Sequence, residues 1–147
     1  MPAPATVRAL EARDRDGWAP LWAAYNAFYR HDPSPEVTDG TFTRLCEGRD
    51  GLAGLVAVDD DRPVGLAHLV FHPSTWSLGA YCYLEDLYVE PAARGTGAAH
   101  ALFAAVYAEA DARGAERVYW LTQAYNGAAR SLYDGVGHPT SFVVYER

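Results

Sequence analysis

Two adjacent acidic residues, Glu85 and Asp86, lie in the aromatic and branched run Tyr81–Val89, whose composition is typical of a β-strand. A carboxylate beside aromatic side chains is incompletely hydrated and suits general acid–base chemistry. Because neighbouring residues of an extended strand face opposite ways, the sequence predicts that only one of the two acids reaches a substrate, unless a bulge intervenes. Tyr81 and Tyr83 share the face of Glu85, which argues against full solvation of that carboxylate.

A glycine-containing turn, Arg94-Gly95-Thr96-Gly97, follows this strand and opens a helix. The first N–H groups of a helix lack partners and lie at the positive end of its dipole, so they suit a phosphate or pyrophosphate. The glycines let the backbone approach an anion, and the arginine adds a forked cation. A Walker loop is excluded because all twelve basic residues are arginine, and a dinucleotide fingerprint is excluded because its third glycine is missing. The alternative is a turn whose glycines serve only the backbone.

Hydrophobic periodicity predicts the elements that position these residues. Six strands are expected at residues 6–10, 52–58, 63–71, 81–89, 118–122 and 140–145, with a polar hairpin turn at 59–61. Four helices are expected, at about 17–29, 38–47, 98–113 and 126–136. The prolines at 33 and 35 end the first helix in this interpretation, and Thr38 or Asp39 caps the second. The order βααβββαβαβ predicts an α/β (mixed α+β) protein, with a mixed sheet and helices packed on its faces.

The composition limits the class of protein. A chain of 147 residues is predicted to form one domain, residues 1–147, and half of it is apolar, which excludes a disordered chain. The net charge of −7 disfavours nucleic acid and anionic membrane as partners. No apolar run is long enough to span a membrane, and the start Met1-Pro2-Ala3-Pro4-Ala5 lacks a signal-peptide pattern. With only Cys46 and Cys82, we expect a cytoplasmic protein without a disulfide framework.

Four features in order resemble the GCN5-related N-acetyltransferase (GNAT) superfamily. The turn matches the pyrophosphate motif Q/R-x-x-G-x-G/A as Arg94-Gly95-Thr96-Gly97-Ala98-Ala99, and a strand ending in Leu87-Tyr88-Val89, then Pro91, precedes it. A strand at 118–122 follows the motif helix. Residues 126–137 then resemble the signature N-x-x-A-x-x-L-Y-x-x-x-G. The resemblance covers roughly residues 83–137 and implies a GNAT-type fold, with a central mixed, mostly antiparallel β-sheet flanked by helices.

The resemblance implies acetyl-CoA as co-substrate, no metal, and an amine as acceptor. An alkylammonium has a pKa near 10, so a base must take its proton before the amine attacks the thioester. The resemblance favours Glu85 as that base, directly or through water, with Asp86 as the second candidate, and Tyr133 as the acid for the leaving thiolate. Asn126 is expected to cap its helix and the N–H of Leu87 to stabilise the oxyanion. Tyr88 and Val89 are expected to pair with the pantetheine amides like an added strand. The expected cofactor-binding residues are Leu87, Tyr88, Val89, Arg94, Gly95, Thr96, Gly97, Ala98, Ala99, His100, Asn126, Ala128, Ala129 and Tyr133.

Within the superfamily, residues 83–89 look most like the diamine and polyamine acetyltransferases. We therefore expect a small cationic acceptor, of the polyamine, diamine or basic amino-acid type, in contact with Tyr25, Phe28, Tyr29 and Glu85. The alternatives are that these aromatic residues form core, and that the protein is an acyl-CoA-binding sensor or a protein or peptide N-acetyltransferase.

Two further expectations concern assembly and the histidines. The apolar tail Ser141-Phe142-Val143-Val144-Tyr145 predicts a strand that needs a partner. Related acetyltransferases often pair through C-terminal strands, so we expect a homodimer. His68 and His72 lie four residues apart without a third metal ligand, and we interpret them as surface or packing residues.

Overall fold

The computed structural model describes residues 5–147, so the start Met1–Pro4, in which no leader pattern was found, lies outside the described part. Five strands form one sheet in the order β1-β2-β3-β4-β5. Neighbouring strands are antiparallel except for β4 and β5, which are parallel. The mixed, mostly antiparallel sheet is therefore confirmed. The strands are β1 (Thr6–Ala9), β2 (Leu52–Asp59), β3 (Arg62–His72), β4 (Tyr81–Val89) and β5 (Arg117–Tyr119).

Four helices cover the two faces of this sheet: α1 (Arg15–Phe28), α2 (Pro35–Glu47), α3 (Ala98–Ala112) and α4 (Gly127–Val136). One core cluster lies on the α3 side and includes Leu69, Leu84 and Phe103. The other lies on the side of α1 and α2, around the fully buried Trp18. Strands buried on both sides alternate their side chains between these two cores. Within residues 5–147, the longest apolar stretch of any helix is too short to cross a membrane.

The β2–β3 hairpin forms at the predicted turn. Asp60 and Asp61 both have positive φ, of 50° and 66°. Two central residues with positive φ give the tight turn whose twist matches a hairpin, and aspartate tolerates that conformation better than most residues.

The second helix begins earlier than predicted. The Ser34 side chain accepts a hydrogen bond from the N–H of Val37 at 3.1 Å, and Pro35 occupies the first helical position, where an N–H has no partner anyway. The prediction that Thr38 or Asp39 caps this helix was therefore wrong. The first helix does end before the prolines, at Phe28, but Ser34 and Pro35 of the segment interpreted as its stop also begin α2.

The C-terminal strand predicted at residues 140–145 is not present. This segment has no ladder partner among the described residues, and Phe142, Val143, Val144 and Tyr145 are between 64% and 92% exposed. The element order therefore ends at α4. The prediction was wrong because alternating apolar residues favour a strand only when a neighbouring strand accepts their backbone hydrogen bonds. Likewise, β5 is shorter than predicted and lies half-exposed at the sheet edge.

Strands β4 and β5 pair over only a third of β4. Tyr81, Cys82 and Tyr83 lie opposite Arg117, Val118 and Tyr119, and no later β4 residue has a β5 partner. The sheet therefore opens between the two strands, and the edge of β4 beyond Tyr83 is left unpaired on that side. The two acids and the segment before the glycine turn lie along this opening.

Candidate active site

A β-bulge in β4 turns the acidic pair. Leu84 lies opposite Leu69, whereas Asp86 lies opposite His68, so Glu85 is an extra residue without a partner in β3. In a regular ladder Asp86 would lie opposite Ala67, whose side chain belongs to the apolar core beneath α3. The bulge instead places Asp86 on the α1 side of the sheet. The bulge that was the stated condition for Glu85 and Asp86 to lie on the same side of the strand is thus present.

His68 is buried and pairs with Asp86. It is 2% exposed, and its Nδ1 lies 2.8 Å from Oδ2 of Asp86. Its Nε2 accepts a hydrogen bond from the indole N–H of Trp18 at 3.0 Å. The interpretation of His68 as a packing or surface residue was therefore incomplete, because the side chain holds a carboxylate of the site. His72 is bonded differently, to the Pro73 carbonyl and the Tyr119 hydroxyl.

Tyrosines of α1 face the two acids. The Tyr25 hydroxyl donates to the backbone carbonyl of Glu85 at 3.3 Å. Burial, and then the charge of Asp86, raise the pKa of both Tyr25 and Tyr29. The two rings lie 5.1 Å apart, and Phe28 meets Tyr29 edge-on while remaining 63% exposed. The α1 helix therefore contributes Trp18 and Trp22 to the core, and Tyr25 packs against the edge of that core. Phe28 and the following Tyr29 are exposed.

The Glu85 carboxylate has a raised pKa. The main cause is desolvation by the surrounding protein, and the second is the nearby negative charge of Asp86. Its side chain nevertheless keeps one side open to solvent. A carboxylate with a raised pKa that solvent and ligands can reach is a stronger base than an ordinary glutamate.

Tyr133 lies on the other side of the opening, on α4. Its ring packs against Phe103 and Trp120, with centroids 5.9 and 5.6 Å away. Within residues 5–147, no hydrogen bond joins its hydroxyl to a protein acceptor, so the O–H is available. Burial raises the pKa of Tyr133, and Tyr29 adds to the effect. Tyr133 packs against the core on the α3 side of the sheet, whereas Tyr29 contacts Tyr25 on the α1 side.

The helix α3 begins without a side-chain cap and without an acidic residue in its first turn. Gly95 and Gly97 have φ of 80° and 88°, a backbone region that glycine adopts without strain, and a Cβ at either position would meet nothing within 4 Å. The space in front of these first N–H groups is therefore open. Arg94 is anchored beside it, because its Nε donates to the Val89 carbonyl at 3.0 Å and its guanidinium lies over the Tyr88 ring. Around the same turn are Thr96, whose hydroxyl donates to the Ala93 carbonyl, the buried Ala98, the half-buried Ala99 and the exposed His100.

The backbone of β4 presents alternate residues to the opening. The N–H of Glu90 donates to Val64 of β3, so the backbone groups of Val89 and Leu87 face the other side, where β5 is absent. The backbone of Tyr88 accordingly faces β3, so the expectation that Tyr88 pairs with the pantetheine amides was wrong, and Leu87 takes its place beside Val89. Across the opening, the Asn126 side chain accepts from the N–H of Ala129 at 3.4 Å. The predicted cap of α4 is thus confirmed, and the exposed Ala128 and the half-buried Ala129 lie in its first turn.

The sequence did not indicate the roles of Trp18 and His68, nor the position of Tyr119. Tyr119 stacks on Tyr83 at 4.9 Å and extends the aromatic lining along β4. The available signal was the alternation of β3, which assigns His68 to the α1 side together with Leu66. The partner of His68 depends on the bulge, which no spacing in the sequence specifies.

Three comparisons with known proteins agree with this arrangement. The model of the Acetyltransferase (GNAT) family matches residues 18–138. D-amino-acid N-acetyltransferase HPA3 of Saccharomyces cerevisiae is 36% identical over 143 residues, 96% of this chain and 89% of that protein. Thialysine N-epsilon-acetyltransferase of Caenorhabditis elegans is 33% identical over 85 residues, 58% of this chain and 52% of that protein.

One solved structure, the aminoglycoside N-acetyltransferase AAC(6')-Iy in complex with CoA, superposes with a TM-score of 0.84. The superposition covers 100% of this chain and 97% of that chain. Because the two sequences are only 18% identical, the match supports the assignment of the fold alone. A family match over most of the chain, together with a relative of this identity and coverage, establishes membership. The chain belongs to the GNAT acetyltransferase family and is an N-acetyltransferase.

Proposed function

We propose that this N-acetyltransferase moves the acetyl group of acetyl-CoA to the primary amine of a small cationic acceptor, with basic amino-acid derivatives favoured over polyamines. The observation that supports the proposal is that β5 stops pairing with β4 just before the Glu85–Asp86 pair, with Tyr133 on the face of the sheet that α3 covers. Tyr133 approaches from the α3 side, and the Glu85–Asp86 pair with Tyr25 and Tyr29 approaches from the α1 side.

The residues before and at the start of α3 fit the co-substrate. A pyrophosphate needs N–H donors and positive potential, and the uncapped first turn of α3 with the anchored Arg94 supplies both. Arg94, Gly95, Thr96, Gly97, Ala98, Ala99 and His100 are the proposed contacts. The pantetheine amides would pair with the backbone of Leu87 and Val89 as an added strand, with Tyr88 contributing its ring and Asn126, Ala128 and Ala129 lining the other wall.

The proposed chemistry assigns one task to each group, with acetyl-CoA supplying the activated acyl group. Glu85 takes the proton of the ammonium, directly or through water, so that the nitrogen lone pair forms the new C–N bond. The Leu87 N–H, which faces the opening, donates to the developing oxyanion. As the C–S bond breaks, Tyr133 gives its proton to the sulfur. The nitrogen, which is cationic after the attack, loses its second proton to water, the proton held by Glu85 leaves to solvent, and Tyr133 regains a proton from solvent. One proton is released overall.

The proposed acceptor class follows from the carboxylates of Glu85 and Asp86 and from the aromatic rings near them. Two adjacent carboxylates favour a cation, and Tyr25 and Tyr29 offer aromatic faces, each contributing about 0.5–2 kcal/mol to binding a cation. The net charge of −7 attracts cations at long range. The two relatives are named for amino-acid acceptors, a D-amino acid and thialysine, which favours the amino-acid type over polyamine or diamine. A protein or peptide acceptor is the alternative to be tested.

The test is release of free thiol from acetyl-CoA with a panel of amines at two salt concentrations. The panel contains D- and L-amino acids, thialysine, spermidine, a short diamine, a lysine-bearing peptide and a neutral amine. We expect turnover of the small cationic amino acids, with kcat/KM falling as salt rises. Preference for the neutral amine, or rates that do not respond to salt, would refute the acceptor class. Turnover of the peptide alone would favour the protein acetyltransferase.

The proposal also covers assembly and location. A groove of about 630 Å³ lies between β5, α4 and the C-terminal segment, and Trp120, Tyr133 and Val143 contribute to its lining. The exposed apolar segment 142–145 and this groove suit exchange between two copies, so a homodimer is proposed. A single domain over residues 1–147 and a cytoplasmic location remain our predictions. Both cysteines, Cys46 and Cys82, are free.

A further inference from the structure

The chain of hydrogen bonds from Trp18 to Asp86 runs through a buried layer. Trp18 is fully buried, His68 is 2% exposed, and the Asp86 side chain is 12% exposed. An indole nitrogen can only donate a hydrogen bond. Nε2 of His68 must therefore be the acceptor, and Nδ1 carries the hydrogen that is donated to Oδ2 of Asp86. The geometry thus selects one neutral tautomer of the imidazole.

The contact with Trp18 requires that Nε2 of His68 carries no hydrogen. A proton on Nε2 would place two N–H groups against each other at the 3.0 Å contact with Trp18. The ring is also enclosed by aromatic side chains, with Trp18 and Trp22 centroids 5.9 and 5.2 Å from its own. What the imidazole does provide is a fixed donor, which sets the orientation of the carboxylate that it contacts.

Apolar residues would fill this layer at lower cost. A buried polar chain stabilises a protein little compared with a well-packed apolar one, and it is costly if any member lacks a partner. Here both nitrogens of His68 and the indole nitrogen of Trp18 are paired, and the chain of hydrogen bonds ends at the Asp86 carboxylate. The bulge at Glu85 is also needed, because without it Asp86 would point into the core beneath α3.

Asp86 faces the same space as the acceptor groups. Its charge acts on Tyr25, Tyr29 and Glu85, on α1 and β4. His68 is bonded only to Oδ2, and the Tyr25 hydroxyl is the other polar group that acts on this carboxylate, so a ligand would share Asp86 with Tyr25. Building on the proposed function, we propose that Trp18 and His68 are positioning residues that hold Asp86 as the anchor for the acceptor ammonium, which leaves Glu85 to take the proton.

The kinetic test separates binding of the amine from chemistry. His68→Leu removes the donor, and we expect the amine KM to rise about tenfold or more, the size typical of a lost hydrogen bond to a charged group. We expect kcat at saturating amine and the KM for acetyl-CoA to change little. His68→Asn places a side-chain N–H near the position of Nδ1 and is expected to restore much of the amine KM. The matched control is His72→Asn, a histidine of the same strand with both nitrogens bonded and no carboxylate partner.

A double-mutant cycle tests whether His68 acts through Asp86. If it does, His68→Leu adds nothing to the amine KM of Asp86→Asn. Additive losses, an equal fall in kcat, or no rescue by asparagine would overturn the proposal. Thermal unfolding of each variant ensures that the rates are measured on folded protein.

Nitrogen NMR of the histidine rings tests the tautomer in the wild-type protein without any substrate. We expect His68 to show a protonated Nδ1 and a bare Nε2. An Nε2–H tautomer or an imidazolium would overturn the proposal even if the enzyme is active. Failure of every amine to turn over, with this tautomer present, would instead count against the proposed function.

Discussion

Replacing Tyr133 with phenylalanine removes one hydroxyl and almost nothing else. The ring contacts with Phe103 and Trp120 remain, and within residues 5–147 the hydroxyl has no acceptor to lose. We therefore expect the free energy of unfolding to change by less than about 0.5 kcal/mol, as for substitutions that disturb no packing or hydrogen bond. If Tyr133 protonates the leaving sulfur, kcat should fall about 100-fold, which corresponds to about 2.7 kcal/mol of transition-state stabilisation.

Tyr107→Phe is the matched control, because Tyr107 also packs on Phe103 but uses its hydroxyl structurally. That hydroxyl donates to the Val136 carbonyl at the end of α4. Its loss should cost about 1 kcal/mol, which corresponds to a Tm lower by roughly 3 °C for a chain of this size. The kcat of this variant should stay near that of the wild type. Tyr133→Phe is thus expected to lower kcat without lowering stability, and Tyr107→Phe to lower stability without lowering kcat.

Thiol release at saturating acetyl-CoA and amine, with parallel thermal unfolding, measures both quantities. The raised pKa of Tyr133 adds a pH criterion. An acid works only while protonated, so activity that depends on Tyr133 should persist above the usual tyrosine pKa near 10 before declining. A Tyr133→Phe enzyme with wild-type kcat, or one whose rate loss merely follows a lower Tm, would refute the assignment.

The remaining predictions concern the base, the pyrophosphate site and assembly. Glu85 must be deprotonated to act and its pKa is raised, so wild-type activity should fall at a pH above the usual glutamate range as the solution is acidified. Glu85→Gln should lack that limb and rise about tenfold per pH unit as free amine accumulates, and a profile identical to the wild type would move the role of base to Asp86 or water. Arg94→Ala should weaken binding of acetyl-CoA by about 1–3 kcal/mol and change the amine KM little. The control Arg62→Ala loses only the ion pair with Glu90 and should bind acetyl-CoA like the wild type. An Arg94→Ala variant with wild-type CoA affinity by calorimetry would contradict the pyrophosphate site. Light scattering at micromolar concentration should give a dimer mass that Val143→Asp lowers, and a wild-type monomer would disprove the assembly.

Periodicity predicted most of the fold because each core imposes it locally. Trp18 and Trp22 of α1 recur at helical spacing and are both buried, and β4 was placed at Tyr81–Val89 as observed. The turn at Asp60 and Asp61 was also predictable, since short polar residues adopt positive φ. These features depend on near neighbours in the chain.

Features that depend on distant partners were not predictable. The segment 140–145 has the alternation of a strand, yet whether a strand forms depends on a neighbour that the described chain does not provide. The prediction of where α2 begins was wrong for a local reason. The pair Ser34-Pro35 is equally typical of a helix stop and of a cap followed by proline at the first helical position.

The bulge at Glu85 connects the fold to the proposed chemistry. A strand without it would present Glu85 to the α1 side and force Asp86 into the apolar core, so that a buried charge without a partner would destabilise the sheet. One extra residue removes that conflict and brings both acids to the opening, with Asp86 oriented by His68. The bulge lies two residues beyond Tyr83, the last residue of β4 that pairs with β5, so it adjoins the stretch of β4 whose other edge is unpaired. The sequence motifs identify the residues that we propose to act at this opening. The opening itself results from how β3, β4 and β5 pair, which the motifs do not specify.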